Sequence, residues 1–525
     1  MDLTPFLKVL AKRRYERLLR MDPAAEQERC LLRLVRQAEQ TRFGKDHDFA
    51  GVNSVADFQA RVPLRQFDDF WKEYWQSPFP VLDNVSWPGR IPYFAKTSGT
   101  TTGVTKHIPI TKEIVRANER AGFDLMTYHL HHRPNSRPLS GKSFIIAGTT
   151  SLEELAPGIY GGDVSGVNTK STPFWVKRRI FPTPELALIS KWDEKLETLS
   201  RLALEQRITM VSGMCNWVLV MLDRIRELKA ANGTLDGPTF PELQLLIHGG
   251  VPMDLYRERL APHLDGAPVE PRELYPTSEG FIASADRGPG EGLRMMLDNK
   301  LFLEFVPMSE LESDRPVRHW AKTIERDVDY ALVLSNCAGL WAYVLGDMVR
   351  FVDTDPPRLL ILGRTSQKLS PFGEHLIGAE IEEAVQAAAA AVGIGIRDYT
   401  VGPVLPAGAG ATGYHVYIVE PTAAINGNVG ELAERFSEHL NTVLVDINYD
   451  YACQRTGDAG VGPPQVKWVE QGTFEGWMRQ KGKMGGQNKV PRVTAKADRF
   501  ATFGQELGVE LKRVPLDRSS VERRA

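Results

Sequence analysis

The stretch that most constrains this chain is Ala95-Lys96-Thr97-Ser98-Gly99-Thr100-Thr101-Thr102-Gly103-Val104-Thr105-Lys106. It sets hydroxyls at 97, 98, 100, 101, 102 and 105 around two glycines and closes on a lysine. An apolar run from Ile91 to Ala95 leads in, and Lys106-His107-Ile108-Pro109-Ile110 leads out, both reading as extended. Such a turn offers backbone N–H groups and short hydroxyl donors to a ligand with several anionic oxygens, and glycine lets the backbone come close. Lys106 adds a mobile point charge suited to phosphate. The pattern G-x-x-x-x-G-K-[ST] opening a helix is absent, because Gly99 and Gly103 are one residue too close and the next run is strand-like. Composition alone also fits a polar surface turn. The rest of the chain has to decide.

At 525 residues the chain is long enough for two to four domains. Lys plus Arg (64) nearly balance Asp plus Glu (66), so no global basic field points to nucleic acid. No run of about 18 apolar residues exists, which predicts no membrane span. The start, Met1-Asp2-Leu3 followed by Lys12-Arg13-Arg14, lacks the apolar core and small-residue site of a secretory signal. Cys30, Cys215, Cys337 and Cys453 are far apart with no C-x-x-C, fitting thiols in a reducing compartment. The expectation is a cytoplasmic, multidomain enzyme.

Residues 3–20 and 26–43 read as amphipathic helices, with Leu31, Leu34, Val35 and Ala38 at helical spacing and Gly44 as a stop. The Lys/Arg cluster at 12–14 reads as a solvated helix face. Residues 54–77 read as helical and supply packing aromatics (Phe58, Phe67, Phe70, Trp71, Tyr74, Trp75). Thr111 can cap a helix running to about His129, and His129, His131 and His132 read as its surface end rather than as a metal site. From 142 to 275 short apolar runs alternate with helical patterns, predicting α/β with a largely parallel sheet. Strand then follows strand from Leu293 to Leu362, predicting an antiparallel sheet or barrel attached to the α/β part.

Three loops in this body place polar groups at strand ends, where open α/β sheets bind ligands. His248-Gly249-Gly250-Val251-Pro252 has glycines on which a flat group such as a purine could lie. Tyr275-Pro276-Thr277-Ser278-Glu279-Gly280 groups a ring, two hydroxyls and a carboxylate, and Glu279 suits Mg²⁺ held against phosphate. Tyr343-Val344-Leu345-Gly346-Asp347 sets an aspartate just past an apolar strand, able to accept both hydroxyl protons of a ribose. Past Gly363-Arg364-Thr365-Ser366-Gln367-Lys368 the pattern restarts as a small α+β domain. The expected division is a large N-terminal domain over 1–364, a hinge over 365–374, a small cap domain over 375–516, and a charged tail over 517–525. Near the end, Lys481-Gly482-Lys483-Met484-Gly485-Gly486-Gln487-Asn488-Lys489-Val490-Pro491-Arg492 is glycine-rich and basic.

Taken together and in this order, these motifs resemble the adenylate-forming superfamily, in particular the auxin-responsive acyl-acid amido synthetases of plants and their bacterial relatives. The resemblance runs from Thr41-Arg42-Phe43-Gly44-Lys45 to Lys489-Val490-Pro491-Arg492. It implies an AMP-forming ligase that uses ATP and Mg²⁺ to convert a small carboxylic acid to acyl-AMP and then passes the acyl group to an amine, such as an amino acid. It implies that Ser98, Gly99, Thr100, Thr101, Thr102, Gly103 and Lys106 hold the phosphates. Gly249, Gly250, Tyr275, Thr277 and Ser278 would lie by the nucleotide, Glu279 would serve Mg²⁺, and Asp347 would bind the ribose. Arg364, in the hinge, would touch the nucleotide, and Lys489 would reach in from a mobile small domain. Thr277 stands where the family usually has Ala, and Thr97-Ser98 where Ser-Ser is common; both keep the polarity of their loops. Phe123, Leu125 and Met126 occupy a helix where some plant members place an arginine for the acid, so an acid other than the plant hormones is expected. Phe123, Met214 and Trp217 would line its pocket. A coenzyme A thioester ligase shares the first half-reaction, and a non-catalytic nucleotide- or acyl-binding regulator is the third reading.

Overall fold

In the computed structural model the described residues are 2, 4–98, 105–147, 151–171, 177–189, 192–249, 253, 257–311, 313–365, 369, 371–372, 374, 376–405, 413–425, 427–455, 461–484 and 489–511. The chain divides into two compact units. Met1–Leu345 and Val349–Ile361 belong to the larger, and Gly346–Met348, Leu362–Met484 and Asn488–Ala525 to the smaller. Among the described residues no helix is long and apolar enough to cross a membrane.

The helical start of the larger unit forms because its apolar residues recur on one face. Helix Pro23–Ala38 is capped by Asp22, whose carboxylate accepts from the Ala25 N–H, and it buries Leu31, Leu34, Val35 and Ala38. It ends at Ala38. Gly44, expected to be the stop, lies inside the short helix Arg42–Asp46, where a Cβ would sit 2.2 Å from the Ala38 carbonyl oxygen. Its glycine is a packing requirement. The aromatics at 54–77 do build a core: Phe43, Phe58, Phe70, Trp75 and Trp341 are fully buried together. Ser86 satisfies both indoles, its hydroxyl accepting from Trp75 Nε1 (3.1 Å) and its carbonyl from Trp341 Nε1 (2.9 Å).

The strands run β1 (Tyr93–Ser98), β2 (Thr105–Ile110), β3 (Lys142–Ile146), β4 (Leu152–Ala156), β5 (Ile159–Gly162), β6 (Ile180–Phe181), β7 (Ile208–Gly213), β8 (Leu245–His248), β9 (Glu270–Thr277) and β10 (Gly280–Ser284). They continue through β11 (Leu293–Met295), β12 (Leu301–Pro307), β13 (His319–Trp320), β14 (Asp329–Asn336), β15 (Tyr343–Thr354) and β16 (Pro357–Arg364). A four-stranded sheet has the order β2-β1-β5-β4. The main sheet has twelve strands, β13-β12-β14-β15-β16-β11-β10-β9-β8-β7-β3-β6. From β6 to β9 the pairing is parallel, and from β9 through β10 and β11 to β16 it is antiparallel. The α/β expectation holds. The later strands form the expected antiparallel sheet, and it is joined edge to edge to the parallel part through β9 and the β9–β10 turn.

Two charge expectations change as well. Arg14 is not a solvated side chain. It bridges Asp124 (2.6 Å) and Asp298 (2.7 Å) with little exposure, while Lys12 and Arg13 stay in water. His129 is not at a surface: it is fully buried, bonded to Glu270 (2.6 Å) and Ser136 (2.7 Å). A long helix, Lys112–His132, carries both Asp124 and His129 inward.

The smaller unit has a three-stranded sheet, β17 (Ile396–Val404), β18 (Tyr414–Pro421) and β19 (Gln465–Trp468), in that order. Helices Gly378–Val392 and Val429–Ile447 pack on it through Ile381, Val385, Phe436, Leu440 and Leu444. Residues 492–494 extend the sheet beside β17, with Val401 N–H donating to the Arg492 carbonyl (2.9 Å) and Thr494 N–H to that of Val401 (2.8 Å).

Candidate active site

The parallel half of the main sheet aligns its carboxyl ends in register. Ile146 pairs with Gly213, Gly213 with His248, and His248 with Glu273. β9 overruns this line by four residues, to Thr277. Met214 and Trp217 begin the helix that leaves β7, Met214 half-buried and Trp217 buried. Gly249 follows β8, and a Cβ there would lie 2.2 Å from the Leu274 carbonyl oxygen and 3.1 Å from Pro276. The backbone of β9 by itself requires glycine here. Its effect is to bring 249 directly beside Tyr275. Gly250 lies outside the described residues.

The 275–280 stretch is a tight reversal between β9 and β10. Thr277 Oγ1 donates to the Gly280 carbonyl at 2.8 Å, so its hydroxyl is engaged in the turn. Gly280 has φ +143°, a conformation few side chains adopt, and Leu301 lies against its Cα. Ser278 and Glu279 occupy the corner, both buried at 8% exposure, and Tyr275 is buried in the preceding strand. Asn336, which sequence reasoning missed, holds the corner: its Nδ2 donates to the Glu279 carbonyl (2.8 Å). Its Oδ1 accepts from Ala338 (2.9 Å) and Leu340 (3.2 Å). The run Asn336-Cys337-Ala338-Gly339 was the available sign, an amide opening a glycine turn.

The hydroxyl-rich turn bridges β1 and β2, whose antiparallel register sets Thr97 opposite Lys106 and Ser98 opposite Thr105. Gly99, Thr100, Thr101, Thr102 and Gly103 lie outside the described residues, and so do the side chains of Thr97 and Ser98. Lys106 Nζ lies 5.6 Å from the Phe67 ring centroid, so an aromatic face steadies the lysine. At the far end of β2, Thr111 caps the long helix and donates to the Cys337 carbonyl at 2.8 Å. That links the hairpin to the residue next to Asn336, and through Asn336 to the Glu279 corner. Phe123 is half-buried on the same long helix, an element separate from that of Met214 and Trp217.

The smaller unit brings together three more expected residues. Asp347 is inside β15, not past its end, and Gly346 before it has φ +88°. Arg364 Nε reaches Asp347 Oδ1 at 2.8 Å. Lys489 feels both. Much of its side chain reaches solvent, yet the protein around its ammonium pushes the pKa down to about 8. Burial acts first, Arg364 next, Asp347 in opposition, and Arg492 last. Three residues further on, Arg492 pairs with Asp398 (2.5 Å) and lies 4.4 Å from the Tyr399 ring, anchoring the segment that carries Lys489. Between Arg364 and the first helix of this unit, Leu369 and Leu376 exchange backbone hydrogen bonds (2.8 and 3.0 Å). Glu374 there accepts from Phe372 N–H (2.8 Å) and pairs with His415 (2.7 Å), with both ionisable groups fully buried. Residues 366–368, 370 and 373 of the expected hinge lie outside the described ones.

Among the described residues no cluster of three or more His, Cys, Asp or Glu could hold a metal by itself. A single buried carboxylate, Glu279, suits Mg²⁺ carried on phosphate, since that ion keeps several waters and takes one or two carboxylates.

Residues 12–215 match the GH3 family N-terminal domain, 294–364 its central domain and 379–498 its C-terminal domain. The chain is 22% identical over 549 aligned residues to indole-3-acetic acid-amido synthetase GH3.4 of Arabidopsis thaliana, covering 90% of each protein. Two other indole-3-acetic acid-amido synthetases, one of them recorded as probable, are matched over only 57% and 44% of their length, about half. The fold is that of the GH3.15 acyl acid amido synthetase, with TM-score 0.76, 16% identity and coverage of 97% of this chain and 99% of that one. It is also that of 2-hydroxyisobutyryl-CoA ligase bound to 2-HIB-AMP, with TM-score 0.60, 16% identity and 93% of each chain. With all three of its domains matched in order and the fold shared from end to end, the chain belongs to the GH3 family.

Proposed function

We propose that the chain is an ATP-dependent acyl-acid amido synthetase, an AMP-forming ligase that joins a small carboxylic acid to an amine such as an amino acid. The observation that carries this reading is the grouping of Asp347, Arg364 and Lys489 in the smaller unit. The family membership and the 275–280 corner support it. A carboxylate is a poor electrophile and ATP is polyanionic, so the first barrier is like-charge repulsion. Lys106 and Lys489 offset that repulsion and orient oxygens for in-line attack at the α-phosphorus. Ser98, Thr100, Thr101 and Thr102, with Gly99 and Gly103, present donors to the phosphates, and Tyr275 lies by the adenine. Asp347 accepts from the ribose hydroxyls, with Arg364 fixing its orientation. Glu279 would hold Mg²⁺, which would supply positive charge against the phosphate oxygens. Phe123, Met214 and Trp217 give the acid an apolar surround.

The test is a screen of carboxylic acids for exchange of labelled pyrophosphate into ATP, followed by amines and coenzyme A as acceptors. Acid-dependent exchange together with amide formation is the expected result. Exchange followed only by thioester formation would move the chain to the coenzyme A ligases. Absence of exchange with every acid would leave a nucleotide- or acyl-binding regulator.

A further inference from the structure

The second half-reaction needs a group that the site so far described lacks. An amine attacking acyl-AMP through its nitrogen must shed a proton as the C–N bond forms and the C–O bond to phosphate breaks. AMP leaves with that electron pair, and the proton must pass to a base. The carboxylate of Glu153, opposite β5 on β4, is already engaged with Lys96.

Asp163 differs from Glu153. β5 runs parallel to β1, with Phe94 opposite Gly161 and Ala95 opposite Gly162. Asp163 follows directly, level with the part of β1 that enters the turn at 99–104. It is half-buried, and among the described residues its carboxylate has no hydrogen-bond or ion-pair partner. Its backbone carbonyl accepts from Gly166 (2.9 Å) and Val167 (3.3 Å) at the start of helix Val164–Ser171. Burial raises its pKa and the charge of Lys195 opposes that rise. Lys195 is itself only 4% exposed and donates to the Ala187 carbonyl at 3.0 Å. A partly desolvated carboxylate left without a structural partner, its affinity for a proton raised by burial, is suited to receive one.

We infer that Asp163 is the base that takes the proton from the attacking amine, an assignment that rests on the amido synthetase reading. The alternative is a purely structural aspartate at the start of helix Val164–Ser171. Asp163→Asn separates the two, because asparagine caps a helix as well as aspartate but cannot accept the proton. The expected result is pyrophosphate exchange within about twofold of the unaltered protein and amide formation slowed about 10²- to 10⁴-fold. Asp163→Ser, which also caps, should show the same split. Unchanged amide formation would overturn the assignment. So would equal losses in both half-reactions. Absence of exchange in the unaltered protein would instead overturn the ligase reading beneath it.

Discussion

Asp347 and Arg364 meet at 2.8 Å across the neighbouring strands β15 and β16, so the proposed ribose acceptor is held by a cation on the next strand. Asp347→Asn removes both the charge and the pairing. Hydrogen bonds to charged groups contribute about 1.5–3 kcal/mol, which corresponds to an ATP KM raised about 10- to 100-fold. Steady-state pyrophosphate release at varied ATP measures it. A KM unchanged within twofold would remove Asp347 from the nucleotide site.

Lys489→Ala should slow adenylation about 10²- to 10³-fold, the usual loss when a placed cationic or hydrogen-bond donor is removed. Amide formation from supplied acyl-AMP should fall by far less. With the ammonium pushed down to about 8, the protonated form is lost as pH rises through that value, so adenylation should decline on the alkaline side there. Equal loss in both half-reactions would count against the assignment.

Gly249→Ala places a methyl against the Leu274 carbonyl oxygen. Relief requires β8 or β9 to shift, at a cost of about 1–3 kcal/mol. Urea unfolding followed by tryptophan fluorescence should show that loss, and nucleotide affinity should fall with it because Tyr275 is the neighbour displaced. Stability at the unaltered level would mean that the loop relaxes freely.

Asn336→Ala leaves the Glu279 carbonyl and the Ala338 and Leu340 N–H groups without their amide partner. Buried groups left unsatisfied cost about 1–3 kcal/mol each before water or local shifts repair them. A loosened corner should also raise the Mg²⁺ concentration needed for half-maximal pyrophosphate exchange. An unchanged Mg²⁺ dependence would detach Glu279 from the ion.

Glu270 predicts an acid-side effect. Burial alone would raise its pKa, but hydrogen bonds from His129 and Arg272 outweigh it and hold the carboxyl at about 2, against an ordinary 4.5. The folded form therefore binds the proton less readily than the unfolded chain. Its stabilisation is complete above 4.5 and disappears as pH falls from 4.5 to 2, up to about 3 kcal/mol in all. The stability gap between the unaltered protein and Glu270→Gln should close across that interval in urea titrations. A gap constant with pH would assign the loss to packing.

What could be read from residues alone was whatever depends on local spacing. The face of helix Pro23–Ala38 was legible because Leu31, Leu34, Val35 and Ala38 recur at helical intervals. The parallel strands were legible as short apolar runs between helical patterns. The continuity of the main sheet was not, because pairing of β11 with β16 joins residues more than sixty positions apart and leaves no periodic mark. Gly44 looked like a stop, yet it is small because the Ala38 carbonyl occupies the space of its side chain, and Gly249 is likewise pressed by the Leu274 carbonyl on another strand. His129 looked like a helix end because its partner Glu270 is 141 residues away. Asn336 carried only the weak sign of an amide opening a glycine turn, which says nothing of the distant Glu279 carbonyl it holds.

β9 is the last rung of the parallel ladder and the first of the antiparallel one. A fluctuation that opens either side must strip hydrogen bonds from a strand the other side also needs. The two flanks should therefore lose amide protection against solvent deuterium together, at one free energy, and a thermal scan of the larger unit should show them melting in concert.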